Sequence, residues 1–458
     1  MAGIGFELRK LLRSQSYLGL LRAYSYASII SSGPWVFSIL GLIVTGVLSL
    51  GVVSPNALIT QFQVTVTYLI MTSLVLSGGL QLSFTRWVAD QLFAKQREDV
   101  APAFLGVLLV TTAVSGALGW IAALVLFPLQ SNLYRVLLAG GLPLLCDIWI
   151  VTVFLSGLKQ YRAIVALYAC GYGLSVLLSY LLRVWGLEGL LAGFLGGQFL
   201  MWTAMMALVL RNFPPTKPIT LACFAPGAML PTLLAGGTLY NLGVWADKLM
   251  FWFTPQTSSP VIGPLRASTI YDLPVFLAYL CVIPGMGVFL VKFETDFVEW
   301  YDHFYTAVRS GGALQDIARY HDRMQDTVRE GIYQIIKVQA ITLLALYTFV
   351  KPLFHAIGIS DLYIPLFLVQ AVAASFQVLL LAVLNVFFYL DRRLEVVFIT
   401  ALLLVLNVIL SRVSISLGAV YFGYGFAVAL LLTLLASLLL VQRLFRRLEY
   451  QTFMLQRT

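Results

Sequence analysis

LPTLLAGGTLYNLGVWADKLMFW, residues 230–252, is long enough to cross a bilayer as a helix, yet it carries Asn241, Asp247 and Lys248 within an otherwise apolar run. An ionisable side chain inside a membrane helix costs about 2.5–3.5 kcal/mol on insertion scales. Asp247 and Lys248 therefore need a partner, a water-filled face or a route to the interface. Adjacent residues lie about 100° apart around a helix, so the two are not expected to face each other. Lys248 is expected to snorkel outward, whereas Asp247 either meets a structural partner such as Arg266 or lines a cavity.

The remainder of the chain supports the membrane reading. Hydrophobic residues make up 60% of the 458 and charged residues 11%, against about 45–50% and 25% in soluble domains. The opening residues show no cleavable signal pattern, so the first span is expected to remain in the protein. Cys146, Cys170, Cys223 and Cys281 fall in or beside apolar runs without CxxC spacing and are expected to be buried small hydrophobes.

The sequence predicts an all-α polytopic membrane protein with twelve spans, at 27–50, 61–85, 102–127, 136–158, 163–184, 189–210, 229–253, 268–291, 331–354, 362–390, 396–416 and 421–442. With the N-terminus inside, 22 Lys/Arg residues fall on segments that should be cytoplasmic and 5 on the opposite side. The net charge of +9 is then a topology signal rather than a nucleic-acid footprint, and it places both termini in the cytoplasm. The proline-rich loop at 211–228 divides the spans six and six, which predicts two lobes related as a parallel repeat. The expected order is an amphipathic cytoplasmic head (1–26), an N-lobe (27–210), the linker (211–228), a C-lobe (229–442) and a basic tail (443–458).

One cytoplasmic insert, 292–330, interrupts the C-lobe and holds eight of the twenty acids. Its apolar residues follow helical spacing on either side of Ser310-Gly311-Gly312, which predicts two helices. These either lie on the membrane face or form a docking surface, with Phe297, Trp300, Phe304, Asp316, Asp322 and Asp326 as the candidate contacts. An acidic segment is repelled by anionic lipid and so suits a protein partner.

Motifs for catalysis are missing: no GxxxxGK[ST], GxSxG or HExxH occurs, and His303, His321 and His355 lack sequence-visible catalytic or metal-ligand partners. A non-enzymatic protein without cofactor or metal is expected. What remains is a set of polar and aromatic residues within spans, rich in amides and hydroxyls. A wall contacting a polyhydroxylated ligand needs such groups, whereas a charge-selective pore would need rings of one sign. The substrate-path candidates are Ser31, Ser32, Trp35, Gln81, Asp147, Gln198, Tyr240, Asn241, Asp247, Gln339 and Asn385. Asp147 sits mid-span and cannot snorkel, so it serves either a cavity or a structural hydrogen bond. Gly33-Pro34 should kink the first span, and Gly189, Gly193 and Gly197 should allow close helix packing.

The opening MAGIGFELRKLL, the first-span SSGPW and the acidic insert between the eighth and ninth spans together resemble the PelG family, inner-membrane transporters of the Pel exopolysaccharide system of Gram-negative bacteria. The resemblance covers essentially the whole chain in length and layout. That family is similar to the multidrug/oligosaccharidyl-lipid/polysaccharide exporter superfamily, whose members have twelve helices in two six-helix lobes around a central cavity. The resemblance implies export of a polymer rich in N-acetylgalactosamine and galactosamine. It also implies a complex with a cytoplasmic glycosyltransferase that uses a UDP-sugar and with membrane subunits, one of which senses cyclic di-GMP. It carries over no catalytic residue. The lack of an arginine cluster within the spans argues against a pyrophosphate-lipid substrate. Two alternatives stay open: a cation-coupled flippase of lipid-linked oligosaccharide or drugs, with Asp147 or Asp247 as the coupling acid, and a non-transporting scaffold for the synthase.

Overall fold

The computed structural model describes residues 17–157, 160–215 and 217–454. The MAGIGFELRKLL run, most of the expected head and the end of the basic tail lie outside the described residues. The chain divides into two compact units, residues 33–269 and residues 1–32 with 270–458. This division differs from a partition at 211–228, because the helix of residues 231–253 groups with the helices before it.

The unit 33–269 takes the greater part of α1 (Tyr17–Ser49) and then α2 (Ala57–Phe93), α3 (Val100–Leu126), α4 (Asn132–Gly157), α5 (Tyr161–Leu182), α6 (Gly186–Asn212) and α7 (Pro231–Phe253). A short antiparallel hairpin, β1 (Ser259–Ile262) and β2 (Leu265–Ala267), follows α7. Phe84, Phe104 and Phe154 stack where α2, α3 and α4 meet, with centroids 4.6–6.2 Å apart. The expected glycine packing appears between α5 and α6, where a Cβ on Gly193 or Gly197 would collide with the backbone nitrogen of Ser179 or Ser175.

The other unit comprises the start of α1, then α8 (Thr269–Tyr279), α9 (Ile283–Val291), α10 (Phe297–Ser310), α11 (Leu314–Ala356), α12 (Ile364–Tyr389), α13 (Arg393–Leu417) and α14 (Tyr424–Met454). A 3-10 turn at Leu280–Val282 and a π-helical turn at Lys292–Asp296 join α8, α9 and α10 into one helical stretch, Thr269–Ser310. Among the described residues, ten helical stretches are long and apolar enough to cross a membrane. One of these, Tyr161–Asn212, contains both α5 and α6. Helix α7 is not among the ten, because Asn241, Asp247 and Lys248 dilute its apolar residues.

The insert corrects one expectation. Its second helix is not a separate element; it is the first part of α11, a continuous helix of 43 residues. At 1.5 Å per residue, α11 is about 65 Å long, roughly twice the apolar thickness of a bilayer. Helix α10 folds back on it after Gly311, which ends α10 in the left-handed region at φ 68°, with the Gly312 N–H donating to the Ala307 carbonyl at 2.8 Å. The far end of α14 packs there too: His321 Nε2 lies 3.1 Å from the Phe445 carbonyl, which can only accept, so Nε2 carries the proton. Replacing His321 with alanine is expected to cost about 1 kcal/mol. Faster limited proteolysis at the Ser310–Gly312 turn would reveal it; an unchanged cleavage rate would show that this contact does not hold the insert.

Candidate functional site

Helices α2 and α7 meet at glycines. A Cβ on Gly79 would run into the Leu234 carbonyl, and one on Gly237 into the Gly78 carbonyl. That approach lets Asn241 Nδ2 donate to the Leu74 carbonyl at 2.9 Å and to Gly237 of its own helix at 3.2 Å. Beside it, Ser73, Ser77 and Gln81 recur every four residues and so share one face of α2. Trp149 Nε1 donates to Ser73 Oγ at 3.0 Å, Ser77 Oγ to the Ser73 carbonyl at 2.7 Å, and Gln81 Nε2 to Ser77 Oγ at 2.8 Å. Gln81, Tyr240 and Asn241 are half-buried, as is Trp35 on α1. Sequence reading missed Ser73, Ser77 and Trp149, although the four-residue spacing leading to Gln81 was the available signal.

Asp247 and Lys248 overturn the expectation that they stay apart. Lys248 does not snorkel: its side chain is 2% exposed, Asp247 is 0% exposed, and the ammonium sits 3.1 Å from Asp247 Oδ1. The four-carbon stem reaches back to the preceding residue, which the 100° separation of the backbones does not prevent. The ammonium also donates to the Val244 carbonyl at 3.1 Å and lies 5.8 Å from the Trp245 ring centroid. Arg266 instead bonds Ser258, from Nε to the hydroxyl and from Nη2 to the carbonyl, each at 2.9 Å.

The other candidates of this unit fall into seams. Asp147 is 4% exposed; its Oδ2 accepts from Thr112 at 2.6 Å and its Oδ1 has no hydrogen-bond partner. Gln198 is fully buried between α5 and α6, donating to Ser175 Oγ at 3.1 Å. Cys170 is exposed on α5, unlike the other three cysteines.

In the second unit, Ser31 and Ser32 donate to the Ala27 and Ser28 carbonyls at 2.8 and 2.5 Å, just ahead of Pro34. Their hydroxyls are thus engaged by their own helix. Gln339 is buried against Gly285, and neither of its amide atoms has a hydrogen-bond partner. Asn385 belongs to a cluster that the sequence did not disclose. Glu294, in the π-helical turn, accepts from Asn385 Nδ2 at 2.7 Å and from the Tyr389 hydroxyl at 2.6 Å. Two residues earlier, Lys292 contacts Asp296 at 2.9 Å and Glu330 at 3.8 Å. Burial lowers the Lys292 pKa, but the hydrogen bond and charge of Asp296, with Tyr24 and Glu330, outweigh it and leave the value raised.

The docking candidates separate. Phe297 and Phe304 are fully buried within the chain's own core, so their helical spacing marks an inward face and they are withdrawn as contacts. Burial likewise pushes the neighbouring Tyr305 hydroxyl up to about 12. Trp300 is half-buried and stacks on Tyr320 at 6.3 Å, Asp316 pairs with Arg319 at 2.8 Å, and Asp322 and Asp326 are exposed. Among the described residues, no group of three or more His, Cys, Asp and Glu side chains could hold a metal.

Comparison with known proteins places this architecture. A search of curated proteins gives no match. Among solved structures, the chain is similar to a MATE protein in complex with MaL6, with a TM-score of 0.68 and 14% identity over 97% of this chain and 100% of that one. It is similar to an outward-facing multidrug resistance MATE family transporter of the MOP superfamily (TM-score 0.64, 14% identity, 98% and 99% covered). A MOP superfamily transporter from Pyrococcus furiosus matches at a TM-score of 0.65 and 13% identity, again over 98% and 99%. At such identities the likeness is one of fold. The family model of PelG, exopolysaccharide exporter (EPS-E), matches residues 1–453. With that match over almost its full length and a MATE-like fold of apolar helices, the chain belongs to the PelG exopolysaccharide exporter family of multi-pass membrane proteins.

Proposed function

We propose that this chain exports the nascent Pel exopolysaccharide across the bacterial inner membrane. It does so as twelve spans in two six-helix lobes with both termini cytoplasmic. The observation that carries the reading, beside family membership, is the character of the polar residues within the helices. The Asp247–Lys248 pair of α7 is buried, and the half-buried Gln81, Tyr240, Asn241 and Trp35 are amide, hydroxyl and aromatic groups suited to a mostly neutral sugar chain. The helical pair formed by α10 and the start of α11, with Asp322 and Asp326 exposed, supports docking of a cytoplasmic UDP-sugar glycosyltransferase. Membrane subunits, including a cyclic di-GMP sensor, would complete the complex. In cells making the polymer, Gln81→Leu combined with Tyr240→Ala is expected to lower secreted polysaccharide at least five-fold at equal membrane abundance. Unchanged secretion would reject this path.

Asp147 favours a second reading, a cation-coupled flippase, because its buried Oδ1 has no hydrogen-bond partner and is a carboxylate oxygen that a proton could occupy. Asp147→Asn separates the two readings. Under polymer export, secretion stays within about two-fold of wild type; under cation coupling it is lost. A scaffold that does not transport would tolerate both sets of substitutions and fail only when the segment 292–330 is disrupted.

A further inference from the structure

The linker that follows α6 is strapped onto the unit 33–269 at two points. At one, the Lys217 ammonium lies 2.7 Å from Asp99 Oδ1 and 3.8 Å from Glu98. At the other, the Thr220 N–H donates to the Pro102 carbonyl at 3.2 Å, and the Thr220 carbonyl sits where a Cβ on Gly106 would be. Cys223, just beyond, is fully buried and anchors the strap's far end. Between strap and helices lies an open cavity of about 590 Å³, bounded by Trp87, Gln91, Gln96, Asp99, Pro102 and residues 217–220 with Ala222. That volume falls within the range of about 300–1,000 Å³ common for small-ligand sites.

The lining has a definite chemistry. Asp99 and Lys217 form an ion pair, and the hydrogen bond and charge of Asp99 hold the Lys217 pKa above its usual value. Gln91 and Gln96 add amides that both donate and accept, Thr220 adds a hydroxyl, and Trp87 adds an aromatic ring. Paired donors and acceptors beside an aromatic ring, with no unopposed charge of either sign at the Lys217–Asp99 pair, suit an uncharged ring bearing several hydroxyls. They suit a phosphate poorly, since its charge would meet Asp99 and Glu98.

We propose that this cavity is a binding subsite for a neutral sugar residue of the glycan, where α2 ends and α3 begins, in which Gln91, Gln96 and Asp99 take the sugar's hydroxyls beside the Trp87 ring. The subsite rests on the exporter reading and adds to it a place where the chain is held before or after crossing. Trp87 supplies the probe. The full-length protein in detergent is titrated with an N-acetylhexosamine tetrasaccharide and, separately, with sorbitol, following tryptophan fluorescence and, for affinity, calorimetry. The wild type is expected to bind the tetrasaccharide saturably and sorbitol not at all. Gln91→Ala with Gln96→Ala should weaken binding at least ten-fold at an unchanged melting midpoint, and Trp87→Phe should remove most of the fluorescence change. Tetrasaccharide binding unaffected by these variants would overturn the subsite while leaving glycan export intact. A wild type that binds no tetrasaccharide would also overturn it, and the secretion assay of Gln81→Leu with Tyr240→Ala would then judge export independently.

Discussion

Lys248→Met is expected to destabilise the protein by about 3–5 kcal/mol, because it removes the ammonium that sits 3.1 Å from the fully buried Asp247 carboxylate. Asp247→Asn should also destabilise the protein, because it removes the carboxylate facing the buried Lys248 ammonium. The double variant, Asp247→Asn with Lys248→Met, removes both charges and should recover most of the loss, since a buried pair offsets little more than its own desolvation. The ordering of melting midpoints in detergent checks this: wild type and double variant high, both single variants low. Equal midpoints for all four would show that the pair is solvated in the membrane form. The pair also explains how a helix with two ionisable residues can stand among apolar neighbours.

Gly79→Val is expected to disrupt the contact of α2 with α7, because its new side chain would occupy the space of the Leu234 carbonyl and crowd Thr238 Oγ1 at 2.9 Å. Neither backbone can move away without separating the helices and stretching the 2.9 Å bond from Asn241 to the Leu74 carbonyl. Overpacking of this kind costs about 1–3 kcal/mol and more when the obstacle is main chain. Gly116→Val on α3 is the control, since nothing lies within 4 Å of its Cβ position. A midpoint lowered by the first substitution and not by the second is the expected result. A loss of similar size in both would point to helix propensity rather than packing.

The apolar runs were legible in the sequence because lipid leaves a chain few other ways to satisfy its backbone. Length and hydropathy therefore located most helices. The extension of α11 was harder to see, since the helix passes from a charged stretch at 314–330 to an apolar one from 331 on while the helical period continues unbroken. Phe297 and Phe304 carried a true periodic signal, but periodicity shows only that a face is covered and not by what. Their cover turned out to be the chain itself. For Asp247 and Lys248, angular position around the helix misled because a lysine stem is longer than the gap between neighbouring Cα atoms. Asn241 was legible as a polar residue needing a partner, whereas its acceptor, the Leu74 carbonyl, depends on how closely two glycine pairs approach. Glu294 lay among the acids of the insert with nothing to mark it, because the π-helical turn that directs it toward Asn385 and Tyr389 has no simple sequence signature.

Photo-cross-linking in cells that make the polymer tests the central claim most directly. A photoreactive residue is placed at position 81, at position 240, or at Leu129, which is 95% exposed and serves as the reference. Glycan-bearing adducts at 81 and 240, with none at 129, are the expected result. Adducts at neither position, or equally at all three, would contradict passage of the polysaccharide along these helices.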